Sequence, residues 1–529
     1  MLRRTIEAAR RAAVLAAVLL AGAAHALTPA EATAMATGDT DERVAAINRA
    51  VPGADARTMA FFQALADDAV KTSGSRVYVL RDDKGYDPVT GAELKVPEDA
   101  EDVVNNNLLR STLDTAMAAL QLASPDDKVR AGAVQVLLNE PDESRLPLVE
   151  KALAAERVPA IRARLERVRA ASMLDSADRA HRLEAAATLA DSGSPEVKLL
   201  LNERLAKEED AGVKAALLAA VRSIDGRLVW GDRINAIFSG LSLGSVLLLA
   251  ALGLAITYGL MGVINMAHGE LMMIGAYATY VVQGLFQRYL PESWFGGYLV
   301  AAIPVAFLAS ALVGAVIERG VIRFLYGRPL ETLLATWGIS LMLQQGVRTL
   351  FGAQNVGVEN PSWMSGGFTM LGNVALPWNR ICIIVFAGLV LLAMAWLIGR
   401  TRLGLFVRGV TQNRPIASCM GVNTARVDTY AFALGSGIAG LAGCALSQIG
   451  NVGPDLGQGY IVDSFMVVVL GGVGQLAGTV YAAMGLGILN KFLEGWTGAV
   501  LAKIAVLVFI IIFIQKRPQG IFAVKGREA

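Results

Sequence analysis

The chain has 529 residues, of which 54% are hydrophobic and only 18% charged, with mean hydropathy +0.48 and net charge +2. A soluble globular chain carries about 25% charged residues, so one ordinary soluble domain is excluded. The near-zero net charge argues neither for nor against a nucleic-acid partner, and none is expected.

The first 26 residues read as an export signal. Arg3, Arg4, Arg10 and Arg11 form a basic start, Ala12–Ala24 a short apolar core, and Ala24-His25-Ala26 a cleavage site. Residues 27–228 then form an exported domain rich in Ala, Arg, Asp and Glu. Its start, to about Thr72, is helical in pattern. Arg76 to Lys95 alternates at Val77 and Val79 and carries the turn formers Lys84-Gly85 and Thr90-Gly91, which predicts a small hairpin.

Beyond Asn105 the sequence repeats itself at an offset of 52 residues: Ser124–Arg157 aligns with Ser176–Glu209. Arg130 falls on Arg182, Ala133 on Ala185, Leu137 on Leu189, Leu148 on Leu200 and Leu153 on Leu205; Ile161 and Leu165 fall on Val213 and Leu217. One short helical unit cannot bury its apolar face alone, so such units stack. The pattern resembles HEAT-type repeats.

Residues 229–529 are dominated by apolar runs, at about 235–257, 261–285, 298–317, 331–350, 380–399, 428–449, 462–490 and 499–514. Each is near the ~20 residues that cross a bilayer. The seventh is interrupted by Gly471-Gly472-Val473-Gly474-Gln475 and reads as two half-helices that dip in and return. Arginines and lysines then fall on one side: Arg319, Arg323 and Arg328; Arg400, Arg402, Arg408, Arg414 and Arg426; Lys516, Arg517, Lys525 and Arg527. The positive-inside rule makes these connections cytoplasmic and the first span's start external, as the export signal requires.

Two motifs in this half mislead. Gly240-Leu241-Ser242-Leu243-Gly244 has the form of a nucleophile elbow, and Gly435–Gly440 that of a dinucleotide fingerprint. Both lie inside apolar helices, where small residues let helices approach. There is no G-x-x-x-x-G-K-[ST] loop, so no ATPase of the chain's own, and no zinc-ligand spacing. Cys382, Cys419 and Cys444 form neither a disulfide framework nor a metal pattern. No catalytic residue, cofactor or metal is expected.

Polar side chains at membrane depth are the candidates for function. They are Asn265, His268, Glu270, Thr336, Ser340, Gln344 and Gln448. Each has two readings, as part of a path for a polar substrate or as a helix-to-helix hydrogen bond; Glu270 pairs either with His268 or with a helix end. The basic connection Thr401–Asn423 contains a short helix ending near Gly421, with Pro415 suited to its first turn.

These segments resemble one family, the permease subunits of branched-chain amino acid and amide ABC importers. The resemblance is carried by GLSLGSVLLLAALGLAITYGLMGVINMAHGELMMIGAYATYVVQ (Gly240–Gln283), TLLATWGISLMLQQ (Thr332–Gln345), VVVLGGVGQLAGTVYAA (Val467–Ala483) and RPQGIF (Arg517–Phe522). It is carried also by the basic connection, with Thr401, Arg402, Leu403 and Gly404 opening it and Gly421, Val422 and Asn423 closing it. Within the family the exported extension is similar to that of urea-importer permeases.

The resemblance implies an all-α polytopic permease preceded by the exported HEAT-like domain with its hairpin. It implies a transport subunit in the bacterial inner membrane, its amino-terminal domain periplasmic and its carboxyl terminus cytoplasmic. The chain would conduct urea beside a homologous second permease, two ABC ATPase subunits and a periplasmic substrate-binding protein. The connection 401–423, with Arg408 and Arg414, would dock into an ATPase. Pro415-Ile416 departs from the family's acidic and small residues at that point. Two alternatives stand beside urea: a permease for branched-chain amino acids or short amides, and a membrane sensor with a periplasmic domain. Sensors usually end in an output domain, and little sequence lies beyond the last apolar run.

Overall fold

The computed structural model describes residues 27–81, 84–370 and 374–522. The export-signal residues and the tail cations Lys525 and Arg527 lie outside the described residues. The chain splits into two compact units, Met1–Leu228 and Val229–Ala529, and the division falls inside one 51-residue helix.

The first unit opens with helices α1 (Pro29–Ala36), α2 (Thr40–Ala50) and α3 (Ala56–Ala66). Each begins at a polar residue whose side chain accepts a backbone N–H: Thr28, Asp39 and Asp55. A five-stranded antiparallel sheet comes next: β1 (Val70–Ser73), β2 (Arg76–Arg81), β3 (Lys84–Tyr86), β4 (Glu93–Leu94) and β5 (Glu101–Asp102), in the order β4-β3-β2-β1-β5. The expected hairpin is thus the middle of a larger sheet. Lys84 and Gly85 pair with Arg81 and Leu80 instead of turning. The second turn stands where expected, with Asp87 N donating to Ala92 O at 2.9 Å and Gly91 at φ +72°. β1 and β5 are too short to show an alternating signal.

Helices α4 (Asn107–Gln121), α5 (Asp127–Asn139), α6 (Leu146–Ala155), α7 (Pro159–Ser172), α8 (Arg179–Leu189) and α9 (Pro195–Lys207) complete this unit, and α10 (Ala211–Met261) runs into the second. The 52-residue offset is visible atom by atom. Asp126 caps α5 as Asp178 caps α8. Arg130 Nη1 donates to Ser124 O and Pro125 O, and Arg182 Nη1 to Ser176 O and Ala177 O. Arg130 Nε donates to Glu156 at 2.8 Å, and Arg182 Nε lies 2.9 Å from Glu208. Each glutamate also accepts the backbone N–H groups of the two residues after it. Ala133 and Ala185, Leu137 and Leu189, Ile161 and Val213, and Leu165 and Leu217 are all buried in one core.

The second unit continues α10 and adds α11 (His268–Tyr289), α12 (Tyr298–Gly320), α13 (Pro329–Phe351), a hairpin β6 (Gly367–Met370) and β7 (Val374–Pro377), α14 (Trp378–Arg400), α15 (Arg402–Gln412), α16 (Arg414–Cys419), α17 (Thr424–Ser447), α18 (Gln458–Gly471), α19 (Leu476–Thr497) and α20 (Ala499–Lys516). Among the described residues six helices are long and apolar enough to cross a membrane: α10, α12, α14, α17, α19 and α20. Helices α11 and α13, of 22 and 23 residues, have the length but carry more polar sequence.

The structure corrects two expectations. The apolar stretch 261–285 does not run straight, because residues 262–267 are non-helical and α11 starts only at His268. The seventh stretch is not a pair of half-helices. α18 has 14 residues, too short to span, but α19 has 22 and is long enough. Gly472 at φ +97° and Gly474 at φ +80° make the turn between them.

Glycines set how closely these helices approach. A Cβ on Gly240 would lie 2.5 Å from Ile488 Cα, one on Gly244 2.9 Å from Ala483 O, and one on Gly259 2.6 Å from Gly474 Cα. Helices α10 and α19 therefore run antiparallel in backbone contact. The second misleading motif behaves alike, since Gly435 meets Gly253 and Gly440 meets Ala306 and Ser310. Of the cysteines, Cys444 is buried, Cys382 half-buried and Cys419 exposed, and all three are free.

Candidate functional site

The polar residues gather where α10 gives way to α11. Gly262, at φ +66°, ends α10. The chain then returns alongside α10, so that α11 begins beside Ala250 and Gly253: His268 Nε2 lies 2.9 Å from Ala250 O. Ala250 and Met261 are eleven positions apart in the chain, or about 16 Å of helix, so α11 starts well inside the unit. Asn265 Oδ1 accepts from Ala267 N at 3.0 Å, which stabilises the irregular turn.

Helix α13 supplies the partners. Thr332, Thr336, Ser340 and Gln344 recur every fourth residue and all four are buried. Thr336 Oγ1 accepts from Met266 N at 3.2 Å and so holds the irregular segment. Ser340 Oγ and Gln344 Nε2 donate to Glu270 Oε1 at 2.9 and 2.8 Å. Glu270 also stands in the first turn of α11, where the helix dipole favours a negative group. The recorded hydrogen bonds of the Glu270 side chain match neither expected pairing: they come from Ser340 and Gln344 of α13, while His268 takes a carbonyl of α10.

Within this cluster, and among the described residues, three buried polar atoms have no hydrogen-bond partner: Asn265 Nδ2, His268 Nδ1 and Glu270 Oε2. Unsatisfied polar atoms in such a setting are costly and point to a working site. The arrangement offers a donor, a titratable ring and an acceptor, with no metal cluster among the described residues.

Gln448 does not join this cluster. It sits at the other end of α17, where Tyr298 Oη donates to its Oε1 at 3.2 Å and Asn379 Nδ2 donates to its backbone O at 3.1 Å. Both hydrogen bonds join it to other helices. Arg348 and Asp455 escape a reading of the sequence alone. Arg348 Nη2 donates to Asp455 Oδ1 at 2.6 Å. Arg348 lies four residues past Gln344, so the stripe on α13 contained the signal; Asp455, in a loop, had none.

The basic connection folds into α15 and α16. Thr401 caps α15, Asn413 caps α16 and Asn423 caps α17, each accepting a backbone N–H. Gly404 is required by contact, since a Cβ there would lie 2.1 Å from Ile398 O. Gly421, at φ +84°, ends the turn after α16, and Val422 N donates to Ala417 O at 3.1 Å. Arg414 is not free: it pairs with Asp428, and its guanidinium stands 4.8 Å from the Tyr326 ring centre. Tyr326 Oη donates to Glu318 Oε1, and Thr429 Oγ1 to Glu318 Oε2. Burial, and then the Asp428 and Glu318 carboxylates, push the Tyr326 phenol up, so it stays a neutral donor. Arg402 and Arg408 are exposed. A cavity of about 480 Å³ beside α16 is lined by Leu403, Phe406, Met420, Gly421, Val422 and Tyr430 among others.

Residues 236–515 match the family model described as branched-chain amino acid transport system / permease component. The chain is 29% identical over 296 residues to the high-affinity branched-chain amino acid transport system permease protein LivH of Salmonella typhimurium, covering 54% of this chain and 94% of that protein. It is 27% identical over 294 residues to BraD of Pseudomonas aeruginosa, a permease protein of the same description, covering 54% and 95%. It is 26% identical over 275 residues to the ribose import permease protein RbsC of Escherichia coli, covering 49% and 78%. No solved structure matches. A family model covering more than half the sequence, with relatives matched over nearly their whole length, identifies the chain as a multi-pass membrane protein belonging to the branched-chain amino acid transport permease family.

Proposed function

We propose that the chain is the permease subunit of an ABC importer for urea. Residues 27–228 are read as a periplasmic, HEAT-like domain, the second unit as the conduit, and the carboxyl terminus as cytoplasmic. The observation that carries the substrate class is the interrupted start of α11, where Asn265 and His268 stand beside Glu270, the neutral donors Ser340 and Gln344 meet Glu270, and Thr336 accepts from Met266 N. Broken helices at membrane depth are where transporters hold polar cargo. Urea is planar and uncharged and needs donors and acceptors in place of a counter-ion.

A second reading, a permease for branched-chain amino acids, is favoured by the names of LivH and BraD. The two are separated by uptake of radiolabelled urea and leucine in a strain lacking this gene and in the same strain complemented with it. Restored urea uptake supports the first reading; restored leucine uptake alone supports the second.

In this reading α15 and α16 take the push of a separate ATPase, beside a homologous second permease and an external binding protein. Closure of the ATPase pair would move packed helices as bodies. The tie from Arg414 to Asp428 and on through Tyr326 and Glu318 would pass movement of α16 to α17 and α12. Gly404→Arg must displace Ile398 and hence the joint of α14 with α15. The expected result is uptake reduced to background and an ATPase that no longer co-purifies, with the protein still in the membrane. Co-purification and uptake at wild-type level would remove this connection from the docking role.

A further inference from the structure

Helix α13 has two unlike faces. Thr332, Thr336, Ser340 and Gln344 recur on one and are buried. Leu334, Leu341, Met342, Gln345 and Thr349 recur on the other, three or four positions apart, and are exposed. Gly338 belongs to the same outer stripe, and a Cβ there would meet nothing within 4 Å. In the middle of α12 and α14 the exposed side chains are aliphatic, such as Leu308 and Leu312 on one and Val385, Leu389 and Leu392 on the other. Lipid covers such surfaces well. On α13 the outer stripe carries an amide, a hydroxyl and a bare glycine.

The amide stands at membrane depth. Gln344, its neighbour in the chain, reaches Glu270 in the first turn of α11, well inside the unit. The 23 residues of α13 span about 34 Å, and Gln345 lies about 9 Å from its end at Phe351. Its backbone O accepts from Thr349, but among the described residues its carboxamide has no hydrogen-bond partner. Acyl chains offer neither donor nor acceptor, so a free amide facing them is costly.

We propose that this outer face of α13 is the seat of the homologous second permease. The inference rests on the permease reading and names the surface at which the two subunits meet. The occupant must itself lie in the membrane, which an ATPase and an external binding protein do not. It must bring a donor and an acceptor to Gln345 and come close at Gly338. A subunit of the same fold, related by a two-fold axis along the membrane normal, presents its own counterpart of α13 there. A carboxamide both donates and accepts, so a facing carboxamide or hydroxyl completes it, and the open glycine lets the two backbones approach.

The test is photo-crosslinking in membranes of cells carrying the complete importer. p-Benzoylphenylalanine replaces Met342 and, in a separate variant, Leu389 on α14; adducts are identified by mass spectrometry. Met342 is expected to yield an adduct with the second permease and Leu389 none. If the Met342 variant fails to reach the membrane, Leu334, on the same stripe, takes its place. Gly338→Phe should hold the partner off without disturbing this chain, lowering the adduct about tenfold at matched membrane levels. Gly388→Phe, equally open on α14, should leave the adduct unchanged. Gln345→Leu should lower it severalfold. An adduct with lipid alone, with a second copy of this chain or with a soluble subunit would overturn the seat, as would an undiminished adduct in Gly338→Phe. The permease reading fails separately, if neither a second permease nor an ATPase accompanies the wild type purified from those membranes.

Discussion

The two units bury polar groups by opposite means. In the first, each repeat sets a full charge against a full charge: Arg130 on Glu156, and Arg182 with Arg204 on Glu208. Water is close, the arginines keep part of their surface exposed, and both glutamates are further held by backbone N–H groups. In the second, the carboxylate of Glu270 receives neutral donors, and helix contacts are made by glycine backbones instead of ion pairs. Hydrocarbon offers no water to share the cost of a charge, so close packing and neutral hydrogen bonds carry the association. Ion pairs do occur in the second unit: Arg348–Asp455 and Arg414–Asp428 involve a loop and the basic connection, and Lys503–Asp463 joins α20 to α18 at 3.5 Å. The comparison teaches where to look for work in this molecule: at charges the membrane unit keeps despite its surroundings.

The sharpest way to break the comparison is to deny the membrane unit its close contacts. A Cβ on Gly443 would stand 1.8 Å from Met272 O, backbone against helix, with nothing flexible to yield. Gly443→Leu is expected to remove nearly all correctly folded protein, read as loss of the monodisperse peak in detergent size-exclusion. Gly388→Leu, facing open space, should leave that peak unchanged. An intact peak for Gly443→Leu would mean that glycine contact is not what holds α11 to α17.

How much of this was legible in the sequence obeys the same division. The repeat could be read because its register is written in residues that recur at one offset, and the structure places Arg130 and Arg182 in the same bonds. The polar stripe of α13 could be read to Gln344 because every fourth residue is polar. The break before α11 could not, because residues 262–267 are as apolar as a helix; the interruption is made by the left-handed Gly262 and by Asn265 and Thr336 bonding from the side. That Gln448 stands apart from the other polar candidates could not be read, because apolar flanks say nothing of which end of a helix a residue occupies. The bridge between Val356 and Val452 was missed because it joins two loops distant in sequence through one residue pair. Strands β1 and β5 were missed because so few residues show no period.

A smaller effect tests the charge pairs of the first unit. Glu156→Ala leaves the Arg130 guanidinium without its main acceptor and frees the N–H groups of Arg157 and Val158. Removing one partner of a charged buried bond costs about 1–3 kcal/mol. The loss should appear as faster hydrogen exchange at the start of α7 in the full-length protein, with helices of the second unit unchanged. Glu208→Ala should do the same at the start of α10, where Arg204 as well as Arg182 loses its acceptor. Unaltered exchange at both sites would mean the pairs are ornaments of a core that stands without them.

The smallest effect is a matter of pH, and its sign comes from the same bonds. The hydrogen bond from Arg130 holds the Glu156 carboxyl down at about 2, from 4.5 in the absence of structure, against burial that raises it. Glu208 is displaced the same way: burial raises it, but the Asp210 N–H and the Arg204 guanidinium outweigh that. A carboxyl depressed on folding binds fewer protons in the folded state than in the unfolded one. Its contribution is therefore complete above the unfolded value of 4.5 and disappears as pH falls towards about 2. Protection at the starts of α7 and α10, corrected for intrinsic exchange, should hold level from neutrality to the upper limit of that window and decline within it. Glu156→Gln keeps an acceptor but cannot titrate, so it should start lower and lose the part of the slope that belongs to α7, leaving that at α10 in place. Equal slopes in the wild type and in Glu156→Gln would show that acid acts on this unit through other carboxylates, and the ion pair would cease to distinguish it from the membrane unit.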